Sequence, residues 1–349
     1  MAWEKLGTAS VGGTAITNTS WKELGRTTLG STGDTIDVSS FAAKDNLMIL
    51  GHRIQSGACN MLFRFNADSG SNYASRHSHN GGTDSTSTSQ TSSTAIMSGD
   101  SSDAFAVQYV TNITNQEKLV LSNSITQSAT GAGTAPNRRE KVYKWANTSY
   151  PITSVNCFND ESGGDYAVGS EVVVLGFDND EADSGTNFWQ ELTTTEATGA
   201  VSGTWSTDTF ATKKYLWIQT YFTGANQDPV LRLGTGGSID TGSNYSYRFN
   251  YNNGSDQTGT SNTGMAIGST ASGTGFNNTF IINKSDKEKL VMNENNRADT
   301  AGAGTAPDYR FEGVGKWSNT SGQIDKIGWQ KGSGNVAGAG SYIKVWGAD

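Results

Sequence analysis

The chain has 349 residues, of which 43 are glycine and 4 proline; 17% are charged, and the formal net charge is -8. That balance argues against a nucleic-acid partner, because phosphate backbones are bound through clustered Lys and Arg, and no apolar run approaches the roughly 18 residues a membrane-crossing helix needs, so no membrane insertion is expected. The Gly, Ser, Thr and Asn content would suit a disordered chain, but 9 Trp, 12 Tyr and 13 Phe gathered in short apolar runs supply the buried area of a folded all-β protein.

The N-terminus, MAWEKLGTASVGG, lacks the basic start and apolar centre of a secretory signal. If the protein works outside a cell, release by lysis inside a particle assembled in a host cytoplasm would fit. WEKLG at Trp3 to Gly7 repeats the character of WKELG at Trp21 to Gly25. Residues 1–20 are thus expected to form an arm, one extra strand added to a sheet edge of its own chain or of a neighbour, with Trp3 and Leu6 as assembly contacts.

Two stretches organise the remainder. EKLVLSNSITQSATGAGTAPNRREKVYKWANTS begins at Glu117, and EKLVMNENNRADTAGAGTAPDYRFEGVGKWSNTS begins at Glu288. The matches continue outward at nearly constant spacing: Trp21 with Trp189, Phe41 with Phe210, Tyr73 with Tyr245, Trp145 with Trp317 and Gly176 with Gly347. This is an internal duplication. It predicts an arm at 1–20, a first domain at 21–180, a linker at 181–188 within the acidic stretch DNDEADSGTN, and a second domain at 189–349.

Apolar runs bounded by Gly, Asn, Asp and Ser predict strands at 35–38, 47–54, 60–66, 104–111, 118–121, 141–145, 154–158 and 171–177, and again at 215–222, 230–233, 245–251, 278–282, 289–292, 314–317, 326–330 and 342–346. No window sustains a helical apolar period. The expected fold is all-β, two tandem antiparallel β-sandwich domains of jelly-roll-like type, with a barrel as the alternative. EVVVLGFD and SYIKVWGAD, the last strand of each unit, are expected inside a sheet.

Few residues invite chemistry. His52, His77 and His79 all lie in the first repeat, so a His-based mechanism would belong to one unit only. RHSH at Arg76 to His79 offers an HxH metal pair, but a polar loop is the simpler reading. DESGGD at Asp160 and DNDEAD at Asp178 lack EF-hand spacing, so Ca²⁺ is conceivable but unsupported and no cofactor is expected. GAGTAP has no phosphate-loop context and reads as turn chemistry, with Gly supplying positive φ and Pro136 or Pro307 setting direction. Asn-X-Ser/Thr triplets such as those at Asn147 and Asn319 are expected by composition. Cys59 and Cys157, whose second-repeat counterparts are near Asp228 and at Trp329, read as buried free thiols rather than a bridge. Trp21, Trp145, Trp189 and Trp317 read as core. Tyr73, Tyr245 and Tyr247, beside polar turns, are the candidates for a surface contact with a glycan or a partner.

The pattern W.ELGRTTLGS.GDTI.V..F.AK..LMIL at 21–50, the FN.DSGSNYASR...NGG.D segment at 65–84 and GAGTAP...E...KW.NTS at 131–149 resemble a repeat of virion structural proteins of tailed bacteriophages, particularly marine ones. The second repeat departs from it at 193–199, TTTEATG in place of GRTTLGS. The resemblance implies a capsid-decoration, head-fibre, tail or collar role. Its partners would be major capsid or tail proteins and further copies of the chain, and it implies no chemistry. The alternative from the residues is a glycan-binding, host-attachment module at a fibre tip. A hydrolase stands third, since it would require a carboxylate pair about 5–9.5 Å apart across a cleft.

Overall fold

In a computed structural model, residues 10–11, 14–15, 20–97, 102–180, 186–224, 229–266 and 273–349 are described. They form strands and turns with no helix among them. Trp3, Leu6 and most of the expected linker lie outside the described residues. The chain divides into two compact units, Met1–Thr126 with Arg139–Gln190, and Gln127–Arg138 with Glu191–Asp349. One assignment differs from the expected division at 21–180. Gln127–Arg138, which holds the first GAGTAP, belongs to the second unit, where its backbone is bonded.

The first unit contains β1 (Ser10–Val11), β2 (Thr14–Ala15), β3 (Lys22–Thr28), β4 (Thr35–Val38), β5 (Asn46–Arg53), β6 (Leu62–Phe65), β7 (Tyr73–His79), β8 (Ser85–Gln90), β9 (Ala104–Thr111), β10 (Lys118–Thr126), β11 (Asn137–Trp145), β12 (Val155–Phe158) and β13 (Glu171–Phe177). The second contains β14 (Gln190–Glu196), β15 (Val201–Ser206), β16 (Tyr215–Phe222), β17 (Val230–Thr235), β18 (Ser238–Ile239), β19 (Tyr245–Tyr251), β20 (Gln257–Asn262), β21 (Thr274–Ile282), β22 (Lys289–Ala298), β23 (Tyr309–Trp317), β24 (Lys326–Ala337) and β25 (Tyr342–Ala348).

Each unit is an antiparallel β-sandwich of unequal layers. The large sheets run β3-β13-β5-β9-β10-β11-β7-β8 and β14-β25-β16-β21-β22-β23-β19-β20, the same order in duplicated strands. The small sheets run β4-β12-β6 and β15-β24-β17-β18. Side chains alternate across a strand, so one face of each large sheet meets the small sheet. Ile49, Ala106, Val120, Tyr143 and Val174 thus cluster with Ile36, Phe63, Phe65 and Cys157 in the first unit. Leu216, Val291, Trp317 and Val345 cluster with Trp205, Leu233 and Trp329 in the second. The final strands β13 and β25 are interior, one place in from the edge. All seven residues of β13 are buried, which is why EVVVLGF is apolar without alternation. Cys59 and Cys157 are free and buried.

A short acidic loop pins both cores. In DSGSNY, Asp68 Oδ2 accepts the indole N–H of Trp145 at 2.7 Å and the Asn72 amide at 2.9 Å, while Oδ1 accepts Gly70 N–H at 2.8 Å. In DTGSNY, Asp240 does the same with Trp317 at 2.7 Å, Asn244 at 2.8 Å and Gly242 at 2.7 Å. The next residue, Tyr73 or Tyr245, takes the backbone N–H of Phe65 or Leu233 on its hydroxyl at 2.9 and 3.1 Å, linking large sheet to small. Burial opposes ionisation of the two carboxylates, but the Trp, Asn and Gly N–H donors outweigh it and hold both below the usual range.

A depressed folded-state pKa contributes stability that is complete above the unfolded carboxylate value and is lost as pH falls through the folded one. Thermal melts should therefore show a loss of stability on acidification below the ordinary Asp range, and Asp68→Asn with Asp240→Asn should flatten it. Asp240→Ala, which leaves the Trp317 indole without its acceptor, should cost about 1–3 kcal/mol by chemical denaturation.

Candidate functional site

Two of the tyrosines expected at a surface are core residues. Tyr73 and Tyr245 are 1% and 0% exposed and their hydroxyls are engaged between the sheets, so neither ring is open to a glycan or partner. The sequence placed them beside polar turns correctly, but the turn folds over the ring. Tyr247 is half-buried and stacks at 5.9 Å on Phe249, which stacks in turn on Tyr251 at 6.3 Å and Phe311 at 4.9 Å. Tyr309 lies 5.4 Å from Tyr251, with the Arg297 guanidinium 4.0 Å above it. Residues i and i+2 share a face, so β19 and β23 present an aromatic ladder whose outer end, Tyr251, is exposed. The first unit has Ser75, His77 and His79 at the matching places and no ladder.

The RHSH segment is strand, not loop: His77 and His79 belong to β7. Burial lowers the His77 pKa, and Lys141, Arg139 and His79 lower it further against Asp84, so positive charge surrounds the ring. In the DESGGD loop, Asp160 and Glu161 accept from the Asn60 amide at 2.7 and 3.0 Å, and Asp34 holds Asp165 above the usual carboxylate range. Asp178 accepts from Lys44 Nζ at 2.8 Å and from Asp45 N–H at 3.0 Å. Among the described residues no three His, Cys, Asp or Glu side chains are grouped to hold a metal ion.

The residues that both repeats retain bind chain segments. Lys118 Nζ donates to Gln116 O and Asn147 O at 2.6 and 3.2 Å, and Lys289 Nζ to Lys287 O and Asn319 O at 2.6 and 2.9 Å, so the Lys of EKLV holds the NTS turn. Burial pushes the Lys289 ammonium down to about 8. Asn147 and Asn319 spend their side-chain oxygens on the N–H of Ser149 and Ser321, and Asn112 and Asn283 pair like a backbone strand with Ile152 and Ile324.

On the other face of β22, β23 and β19 the second unit receives Gln127–Arg138. Lys316 Nζ donates to Gln127 O at 3.1 Å and to Ala129 O, while Glu288 accepts Gly131 N–H. Ser261 N–H donates to Ala132 O at 2.8 Å, and Arg248 Nε donates to Pro136 O at 2.9 Å. Arg138 grips Asp256 through Nη2 at 2.7 Å and Nε at 3.1 Å, and reaches Glu312 at 3.5 Å. Arg138 and Asp256 are both buried, as are Leu290, Met292 and Val314 on the same face. Ser261 sits where β20 bulges against β19 with positive φ, which turns its N–H out of the ladder toward the segment.

No family model and no curated protein matches this chain. The solved structures similar to it include two laminin regions. The LG1-3 region of the laminin alpha2 chain matches at 10% identity over 90% of this chain, with a TM-score of 0.22, and this chain spans 64% of it. Domains LG4-5 of the mouse laminin alpha1 chain match at 12% identity over 92% of this chain and 88% of that one, with a TM-score of 0.20. At these values the likeness carries no inference about ligand or partner.

The buried Arg138–Asp256 pair and the exposed Arg76–Asp84 pair of the first unit make a direct contrast. Arg138→Ala should destabilise the chain by about 3–5 kcal/mol in denaturant titrations, because it leaves a buried carboxylate short of its main partner. Arg76→Ala should change stability by less than about 1 kcal/mol.

Proposed function

We propose that this chain is a non-enzymatic structural protein of a phage particle, attached to the virion surface as a capsid-decoration, head-fibre, tail or collar component through the faces of its β-sandwiches. The observation that carries this reading is the use made of the duplicated residues. EKLV, GAGTAP and KW.NTS supply a segment and the sheet face that receives it, with the Glu288–Lys316 pair gripping backbone rather than a substrate. Such a joint is what a protein built for assembly needs, and it requires no cofactor. The partners in this reading are other virion proteins and further copies of the chain, and the resemblance of the 21–149 region to tailed-phage repeats supplies the particle. Antibody raised against the chain should decorate purified particles of the phage that encodes it, at head or tail, and peptide mass spectrometry of those particles should recover it. Absence from washed particles by both methods would reject the reading.

A second reading is favoured by the aromatic ladder. Tyr247 and Phe249 pack against the core of the second unit and lead out to Tyr251, which is exposed and with Tyr309 offers a stacking surface of the kind sugar rings use. On this reading the second unit binds a host surface glycan. A glycan array should then give a hit that Tyr251→Ala abolishes, while a blank array would dispose of it.

A further inference from the structure

We propose that the second GAGTAP turn, residues 301–307 of one copy, docks on the β10, β11 and β7 face of a second copy, joining chains head to tail. The structure holds one completed example of this joint, inside the second unit, and the duplication supplies both halves of another.

The receiving face is present in the first unit group by group. Glu288 and Lys316 have their counterparts in Glu117 and Lys144, which are 2.8 Å apart and exposed. Arg248 and Asp256 correspond to Arg76 and Asp84, an exposed pair at 3.4 Å. Val314 stands opposite Arg248 and Lys316 opposite Ser246, as Val142 stands opposite Arg76 and Lys144 opposite Ala74. Ser261 corresponds to Ser89, again at positive φ where β8 bulges against β7. The apolar floor differs in one residue, Met292 against Leu121, and in cover. Leu290, Met292 and Val314 are 1%, 6% and 4% exposed, whereas Leu119, Leu121 and Val142 are 56%, 60% and 45% exposed. Three large aliphatic side chains in water on adjacent strands, between two ion pairs, mark a face shaped to be covered.

The segment that would cover it is also present. Residues 302–307 repeat GAGTAP, and Gly302 has φ +88 where Gly131 has φ +78, so the two turns open in the same left-handed conformation. Residues 301–307 are all exposed. Most of the bonds in the completed joint use backbone groups of the segment, namely Gln127 O, Ala129 O, Gly131 N–H, Ala132 O and Pro136 O. The counterparts of Gly131, Ala132 and Pro136 lie within 301–307 and keep the same backbone groups, whereas those of Gln127 and Ala129 are Ala298, the last residue of β22, and Thr300, so the new joint uses the glycine-to-proline part of the pattern. Arg310 stands seven residues before Trp317, as Arg138 stands seven before Trp145. Arg310 is 64% exposed and would meet Asp84 as Arg138 meets Asp256. One extra residue separates Pro307 from Arg310, so the glycine turn and the proline fix the seat while the arginine arm reaches from slightly further along.

Each chain thus carries one exposed turn and one exposed face that are different surfaces, the arrangement that builds a ring if it closes and an open string if it does not. A joint made of one turn and three aliphatic side chains is small, in the range of transient interfaces below about 1,200 Å². Assembly should accordingly rise with concentration.

This inference is tested on the purified chain, so it stands or falls apart from the virion reading. Light scattering coupled to size exclusion should show wild-type mass rising above that of a single chain as concentration increases. Ala303→Arg, which blocks the turn, and Leu121→Arg, which blocks the face, alter exposed positions and should keep the wild-type melting temperature. Each alone should run as a single chain at every concentration. Mixed together they should form a two-chain species and nothing larger, because the mixture contains one intact turn and one intact face. A wild-type chain that stays single throughout, variants that assemble like wild type, or a mixture that remains single while wild type assembles would each overturn the proposal.

Discussion

The indole N–H of Trp145 or Trp317 bonded to a loop carboxylate is the constraint on which each sandwich depends. A buried Trp contributes about 1.5–3 kcal/mol or more through its ring, but only if its single polar atom finds an acceptor. Asp68 and Asp240 supply that acceptor from a tight Asn- and Gly-containing turn, and the same turn places Tyr73 or Tyr245 between the sheets. Position the carboxylate and three things follow: the KW strand is fixed in the large sheet, the tyrosine hydroxyl is brought to the small-sheet backbone, and the core aromatics are fixed around Phe65 or Leu233. The NTS turn after each tryptophan is then held by the Lys of EKLV. The joint duplicated in the sequence is one mechanical assembly made of charges and backbone, with the tryptophan at its centre.

Much of this is legible in the amino-acid sequence. Apolar runs located 35–38, 104–111, 171–177, 215–222 and 245–251 to the residue, because those strands are buried on at least one face and their periodicity records it. The polar strands β8 and β20, STSTSQ and QTGTSN, left no such trace. They are edge strands held by backbone pairing, and backbone pairing has no compositional signature. β3 and β14 were hidden for the same reason. The tyrosines were misplaced because local polarity describes the turn and not the direction of the ring, which the Asp–Trp bond decides. The two-unit division was readable from the duplication. The membership of Gln127–Arg138 was not, since nothing in a segment's own residues says which unit its carbonyls will face.

The two large sheets share a topology and a set of ion pairs yet differ in environment, and this difference is physical rather than compositional. Lys144 and Lys316 are the same residue in the same register. One is half-exposed beside Glu117, and the other is buried with its charge satisfied by two carbonyls and Glu288. Identical sequence can therefore serve as a solvated surface pair or as a buried grip, according to whether a segment lies across it. An ion pair of this type tolerates both states because it is already neutralised when open, so exposing it carries little penalty and covering it strands no charge.

The Gln127–Arg138 segment also separates two boundaries that usually coincide. The repeat boundary, where the duplicated sequence begins again, falls near Trp189, but the second compact unit takes in residues made some sixty positions earlier. During synthesis that segment leaves the ribosome before any strand of its receiving face exists, and it must wait for β19, β22 and β23 to emerge. The second sandwich is thus completed by a part its own repeat does not encode, and a cut at the repeat boundary would yield a first piece whose 127–138 loop has no face to receive it and a second piece with the acid at Asp256 laid bare.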